Sequence, residues 1–264
     1  MRIGIIGLGW LGAPLGEILN SKGFAIVGTT RNQENAKRFR ELGIQVQHFE
    51  QNDFFRQIDW ISELDYLILA VPPSTFKEDY PSAMINCAKQ IDGKAKVVFI
   101  SSTSVYSNQL TFCNEETIAN GEERSAPFII NAEMQLKTLL GKRLTIIRMG
   151  GLIGGNRHPA KFMQGREIQN GDSPINVIHL DDCIGLIEWV LQNDFFGEII
   201  NGVSAEHPKK SEFYTWATDK LELKRPVFQS GGAEFKTVQS KWRNTNSFYQ
   251  YKFDDPYEYP INEN

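Results

Sequence analysis

Six residues, Gly7-Leu8-Gly9-Trp10-Leu11-Gly12, set three glycines in a GxGxxG pattern between an apolar run and a helix-period segment. In that context the pattern can hold a diphosphate. Gly7 permits a tight turn, Gly9 lets the backbone approach an anion, and Gly12 lets helix and strand pack closely. Trp10 and Leu11 complete the loop and are expected to contact the same ligand. Unpaired N–H groups at the helix start, and the helix dipole, favour negative charge there. The alternative is a glycine turn needed only for packing. The end of the next strand bears on what else is bound. Val27-Gly28-Thr29-Thr30-Arg31 contains no carboxylate, whereas NAD-specific sites place an Asp or Glu there to accept from the ribose 2′-hydroxyl. Two hydroxyls and a guanidinium suit a phosphate instead. The expected cofactor is therefore NADP(H) in preference to NAD(H), with Arg31 on the 2′-phosphate or stacked on adenine. A solvated loop arginine is the plainer alternative. Ala70-Val71-Pro72 closes a later apolar run and offers backbone contact to the same ligand, unless the prolines merely end the strand.

A parallel sheet is needed to bring these segments together. Apolar runs at 3–6, 24–29, 44–49, 65–71, 96–100 and 144–148 read as strands, and helix-period segments at 11–22, 34–42, 80–91 and 125–140 alternate with them, the pattern of βαβ units. Past Gly150 the texture changes, with glycines at 150, 151, 154 and 155 and polar residues to about Pro174. A short strand at 176–179, a helix at 181–191 whose Asp181 caps its start, a strand at 198–201 and a helix at 211–221 follow. Residues 254–264 read as an acidic tail rich in Pro and Tyr. The fold class is α/β, a Rossmann doubly wound parallel sheet. Its dinucleotide-binding core spans 1–155 and continues through 176–203; residues 156–175 and 204–264 form a small C-terminal substrate domain.

Composition removes several function classes. The net charge is −4 without a long basic run, which disfavours nucleic acid or an anionic membrane as partner. Cys87, Cys113 and Cys183 are widely spaced, arguing against a disulfide framework or a zinc site and for a reducing compartment; no metal is expected. Met1-Arg2 followed by a strand offers no leader-like apolar region, and no stretch approaches the ~20 apolar residues of a membrane span. The expectation is a cytoplasmic protein.

Three further segments carry a family resemblance. Val98-Phe99-Ile100-Ser101-Ser102-Thr103-Ser104-Val105-Tyr106 resembles the fifth-strand SSxxVYG of extended short-chain dehydrogenases. Arg148-Met149-Gly150-Gly151-Leu152-Ile153-Gly154-Gly155-Asn156-Arg157 is similar to their RxxGIYGPGR, and Asn176-Val177-Ile178-His179-Leu180-Asp181-Asp182 to their NxIHVDD. In order and spacing these cover most of residues 1–205. The chain resembles the NAD-dependent epimerase/dehydratase family, in its short, atypical branch. The resemblance implies about seven sheet strands, a small-molecule substrate (phosphorylated or nucleotide-linked ones included) and, as often in that family, a homodimer formed through two sheet-flanking helices. It places Ser101 beside the cofactor and Ser102 on the family's catalytic Ser/Thr, with Thr103 next to it facing substrate. Tyr106 could stand in as an acid or simply pack over the site. Arg148 and Arg157 match positions that organise the substrate cleft, where they suit a phosphate or carboxylate or an internal ion pair. His179 could reach substrate or be structural, and Glu133 matches a glutamate with a structural role.

The departures from the family are as informative. Its Ser/Thr works with a Tyr-xxx-Lys pair, whose Tyr exchanges a proton with the substrate hydroxyl. The matching segment here, Ser125-Ala126-Pro127-Phe128-Ile129-Ile130-Asn131-Ala132-Glu133, holds neither, and no tyrosine in the chain has Lys four residues later. The family's IYGPG loses its Tyr to Ile153 and its Pro to Gly155, and the glycine signature has the shorter GxGxxG spacing. Two readings stay open: an NADP(H)-dependent oxidoreductase or epimerase acting on a sugar-like or nucleotide-linked substrate, and a catalytically inactive NADP(H)-binding sensor. A third draws on GLGWLG with Thr-Thr-Arg, which also resembles NADP-linked β-hydroxyacid dehydrogenases. It ranks last, because the sheet pattern continues to Asn201 where those proteins turn helical.

Overall fold

The computed structural model describes residues 1–123 and 125–260; of the acidic tail expected over 254–264, the last four residues lie outside them. Seven strands build the main sheet: β1 (Arg2–Ile6), β2 (Ala25–Thr30), β3 (Gln45–His48), β4 (Tyr66–Leu69), β5 (Lys96–Ser102), β6 (Leu144–Met149) and β7 (Ile199–Gly202), in the order β7-β6-β5-β4-β1-β2-β3. The sheet is that of a parallel α/β Rossmann fold. Its strands are apolar along their length, with Ile3, Ile5, Leu67, Ile68, Val97 and Val98 each 0% exposed, as expected where both faces are covered. β1 pairs with β2 on one side and β4 on the other, both parallel. The chain winding therefore reverses between β1 and β4, and a crevice opens beyond their carboxyl ends.

By internal contact the chain divides into two units. The first comprises Met1–Val105, Glu122–Ile147 and Ile187–Ile199. In it α1 (Gly12–Ser21), α2 (Gln33–Glu41), α3 (Tyr80–Lys89) and α4 (Ala126–Leu140) accompany the strands. An edge-on aromatic row, Phe49–Phe54–Phe76, runs on to Tyr80 and Phe99 and fills the space beside β4 and β5. The segment between β3 and β4, which carries no periodic pattern, forms two 3₁₀ turns (Gln51–Phe55 and Ile61–Glu63).

The second unit comprises Tyr106–Gly121, Arg148–Leu186 and the chain from Ile200 onward. The short strand at Val177–His179 pairs in parallel with Gly151–Ile153, as a two-stranded element separate from the main sheet. The helix Leu180–Gln192 begins one residue earlier than expected. Asp181 consequently lies inside its first turn and does not cap it: the His179 ring Nδ1 accepts the Asp181 N–H at 3.2 Å. Among the described residues no helix is long and apolar enough to cross a membrane, and no group of three or more His, Cys, Asp or Glu could hold a metal ion. All three cysteines are buried free thiols, and burial pushes Cys87 up to about 12.

Three histidines of the second unit, His158, His179 and His207, share one titration behaviour. Burial is the leading cause that lowers each pKa below 6.5. The folded form thus resists protonation that the unfolded chain accepts, and their contribution to stability, complete above 6.5, is lost as the pH falls below it. Urea midpoints measured from pH 7.5 to 5 should decline, and more steeply in wild type than in His179→Gln. Parallel slopes would remove His179 from this account.

Candidate cofactor and active-site clefts

The first site sits at the sheet's switch point. Gly7 follows β1 with φ +104°, a conformation open to glycine and strained for other residues. Its N–H donates to Thr29 Oγ1 at 3.0 Å, and the Leu8 N–H donates to the Thr29 carbonyl at 2.7 Å. A Cβ at Gly12 would stand 2.1 Å from the Gly7 carbonyl oxygen, so only glycine lets α1 approach the turn this closely. Gly9, in contrast, has nothing within 4 Å of where a Cβ would lie. The turn therefore presents bare backbone to open space, and α1 has no side-chain cap and no acidic residue in its first turn.

These features border a cleft of about 240 Å³. Gly7, Leu8 and Gly9 form one side, and Ala70, Val71, Pro72 and Thr75, beyond β4, form another. Thr29, Thr30 and Arg31 close the end of β2. Trp10, Leu11, Gly12 and Ser101 are not among the lining residues; Leu11 and Gly12 act as the start of α1, and Ser101 is buried at the end of β5. The threonines are buried and already bonded: Thr30 Oγ1 accepts the Asn32 N–H at 3.2 Å, as Thr29 Oγ1 accepts that of Gly7. Arg31 is exposed, and among the described residues its guanidinium has no hydrogen-bond or ion-pair partner. The sequence reading missed Asn32, Asn35, Phe49, Gln51 and Phe54, which complete the wall. Asn32 caps α2 by accepting the Asn35 N–H at 3.0 Å. Among the described residues no carboxylate lines this cleft.

A second, broader cleft of about 620 Å³ is lined by Pro73, Ser102, Ser104, Glu123, Ser125 and Ile129. Pro72 borders the first cleft and Pro73 the second, so the two meet along one stretch of chain in the same unit. Ser102 Oγ accepts the Ser104 N–H at 3.1 Å, which leaves its own proton available. Thr103 is buried beside it. Underneath, Ser101 Oγ donates to the buried Glu133 at 2.5 Å. Asn131 instead faces outward, accepting from Gln135 at 2.9 Å.

The remaining site residues lie in the second unit. Tyr106 is 0% exposed; its hydroxyl donates to Asn201 Oδ1 and accepts from Arg148 Nη1, each at 2.9 Å. Burial raises its pKa, against the lowering effect of the Arg148 charge. The Tyr106 hydroxyl is thus already engaged by two side chains. Arg148 is itself buried, stacked 5.0 Å from the Tyr106 ring centroid. His179 is buried edge-on to Phe253 at 4.7 Å and near Tyr259 at 5.3 Å. Its Nδ1 accepts a backbone N–H, and burial lowers its pKa. Arg157 is exposed and borders a small cavity of about 100 Å³ with Ile153, Phe162, Met163 and Tyr214.

Comparison with known proteins places this geometry. The family model described as NADP oxidoreductase, coenzyme F420-dependent, matches residues 2–103. Protein YeeZ of Escherichia coli (strain K12) is 27% identical over 271 residues, covering 98% of this chain and 99% of that protein. Among solved structures, the human epimerase family protein SDR39U1 (isoform 2) with NADPH superposes with a TM-score of 0.69 at 17% identity, covering 97% of this chain and 96% of that one. The dTDP-glucose 4,6-dehydratase of Bacillus anthracis in complex with NAD gives 0.78 at 15% identity, covering 96% and 92%. The chain thus has the Rossmann fold that these epimerase- and dehydratase-named structures share.

Proposed function

We propose that this protein binds NADP(H) in preference to NAD(H) and uses it in redox or epimerase chemistry on a hydroxylated, sugar-like or nucleotide-linked substrate, without a Tyr-xxx-Lys pair. The observation that carries the cofactor assignment is the first cleft. It joins a bare glycine turn and an uncapped helix start to a β2 end that offers hydroxyls and, among the described residues, an unpaired guanidinium and no carboxylate. Gly7 to Gly9 and the start of α1 would hold the diphosphate, and Arg31 the 2′-phosphate. Asn32 and Asn35 stand beside Arg31, and Phe49 and Phe54 give the adenine an apolar wall. The nicotinamide supplies or takes up a hydride when bound.

The chain's own residues then have to orient the substrate and its oxygen. Ser102 is the residue suited to this, because its hydroxyl faces the second cleft with a proton to donate. Ser104 and Ser125 add two more hydroxyls on the same wall. An arrangement of this kind favours an enzyme. The sensor reading keeps one support, the absence of a phenol–ammonium pair among the described residues that line this cleft. Cofactor retained on purification, identified by mass, tests the first half of the proposal. NADPH consumption across a panel of nucleotide sugars, ketones and aldehydes tests the second, and silence throughout favours the sensor. For any substrate found, Ser102→Ala should bind NADPH within about two-fold of wild type while kcat falls about 100-fold, as when one positioned donor is lost from a reacting oxygen. An unchanged kcat would reduce Ser102 to bracing the Ser104 amide.

A further inference from the structure

We infer that Asn86 and Gln90 are positioning residues of the cofactor site, holding from α3 the segment that walls its adenosine end. The inference rests on the cofactor assignment above and deepens it. Gln51 and Phe54 line the first cleft from the 3₁₀ turn after β3. That turn is closed within itself: the Glu50 N–H donates to Asp53 Oδ2 at 2.8 Å, and the Asp53 N–H to the Glu50 carbonyl at 3.1 Å. These bonds do not fix where the turn stands against the sheet, and residues 56–60 belong to no helix or strand.

The anchorage comes from α3. Asn86, in its last turn, and Gln90, which follows its last residue, are four positions apart and so share a face. Asn86 Nδ2 donates to the Phe54 carbonyl at 2.7 Å, and Gln90 Nε2 to the Arg56 carbonyl at 3.0 Å. Gln90 Oε1 accepts the Ile58 N–H at 2.7 Å. Two side-chain amides thus answer backbone groups that a regular ladder would otherwise satisfy. Neither amide lines the cleft, so their effect on a ligand passes through the segment. A ligand that rests on this wall binds the placed segment, and its apparent affinity scales with the fraction of molecules already so arranged. Without the amides, binding has to order the segment again. The glycine turn is held by Thr29 instead, so a diphosphate alone should not sense the change.

Gln90→Met and Asn86→Leu keep the side-chain bulk and remove the amides. Isothermal titration at 10 °C, with folding checked by circular dichroism, compares NADPH, 2′-AMP and inorganic pyrophosphate. In Gln90→Met, NADPH and 2′-AMP should bind about ten-fold more weakly than in wild type, while pyrophosphate keeps its wild-type affinity. Asn86→Leu should show the same pattern at about three- to five-fold, and decides the matter should Gln90→Met not fold. Amide hydrogen exchange over Phe54 to Ile58 should quicken in the variants and slow again when NADPH is added. A merely structural role would lower the melting temperature and weaken 2′-AMP and pyrophosphate equally or not at all. Either of those results overturns the inference, and leaves Phe54 held by its edge-on contacts with Phe49 and Phe76. Failure of wild type to bind NADPH overturns the cofactor assignment instead, a result distinct from both.

Discussion

Arg31→Asp is expected to weaken NADPH binding about 100-fold while NADH binding holds or improves, reversing the cofactor preference. Hydrogen bonds to a charged group are each worth about 1.5–3 kcal/mol, and each 1.4 kcal/mol is ten-fold in affinity. Loss of the guanidinium alone, as in Arg31→Ala, should therefore cost NADPH about 10- to 100-fold. An introduced carboxylate adds repulsion of the 2′-phosphate and can accept from the 2′-hydroxyl of NADH. The fold should tolerate the change, since Arg31 is exposed and its side chain has no partner among the described residues. Thr29 is the contrasting case: its hydroxyl holds the Gly7 amide, so Thr29→Val should weaken both nucleotides together. Titration of NADPH and NADH into the three variants settles it, and equal losses for both nucleotides in Arg31→Ala would refute a 2′-phosphate contact.

The parts of this site that could be read from the sequence are those set by local rules. GxGxxG needs only a strand before it and a helix after it, and Thr29-Thr30-Arg31 needs only to end the second strand; both stand at the cleft the topology opens. Phe54 and Gln51 escaped because they sit on a 3₁₀ turn, whose residues follow neither the helical nor the strand period. The second cleft required knowing that α4 brings Ser125 and Ile129 beside Ser102, a tertiary fact to which the segment's missing Tyr and Lys gave no clue. Tyr106 shows the opposite problem. Its position in the motif allowed an acid, but partners 42 and 95 residues away, Arg148 and Asn201, enclose its hydroxyl. Asp181 and Asp182 carried the same local signal, two acids at a helix start. The one-residue shift of that start left the first paired with Lys252 at the surface and buried the second.

That burial supports the other large effect: Asp182→Ala is expected to destabilise the second unit by about 3–5 kcal/mol. Asp182 is 0% exposed, and burial raises its pKa against the lowering effect of its hydrogen bonds. Its carboxylate accepts the Lys252 N–H at 2.6 Å, the Phe253 N–H at 3.2 Å and the Tyr249 hydroxyl at 2.9 Å. One side chain thus fixes three donors of a segment about 70 residues later, whose Phe253 then packs on His179. Alanine leaves all three donors unanswered, and each unsatisfied buried group costs about 1–3 kcal/mol. The sum is discounted because the Tyr249 hydroxyl can turn to another acceptor and desolvation of the carboxylate is recovered. Asparagine, which keeps one acceptor oxygen, should recover part of the loss. By the usual scaling for a domain of this size, the alanine variant should melt about 10 °C lower. Its NADPH affinity at 10 °C should stay near wild type, because the first cleft belongs to the other unit. A shift under 2 °C would show that the segment is held by its other contacts, Ser204 with Tyr259 and Arg243 with Asp254, and that Asp182 is an acceptor the fold can do without.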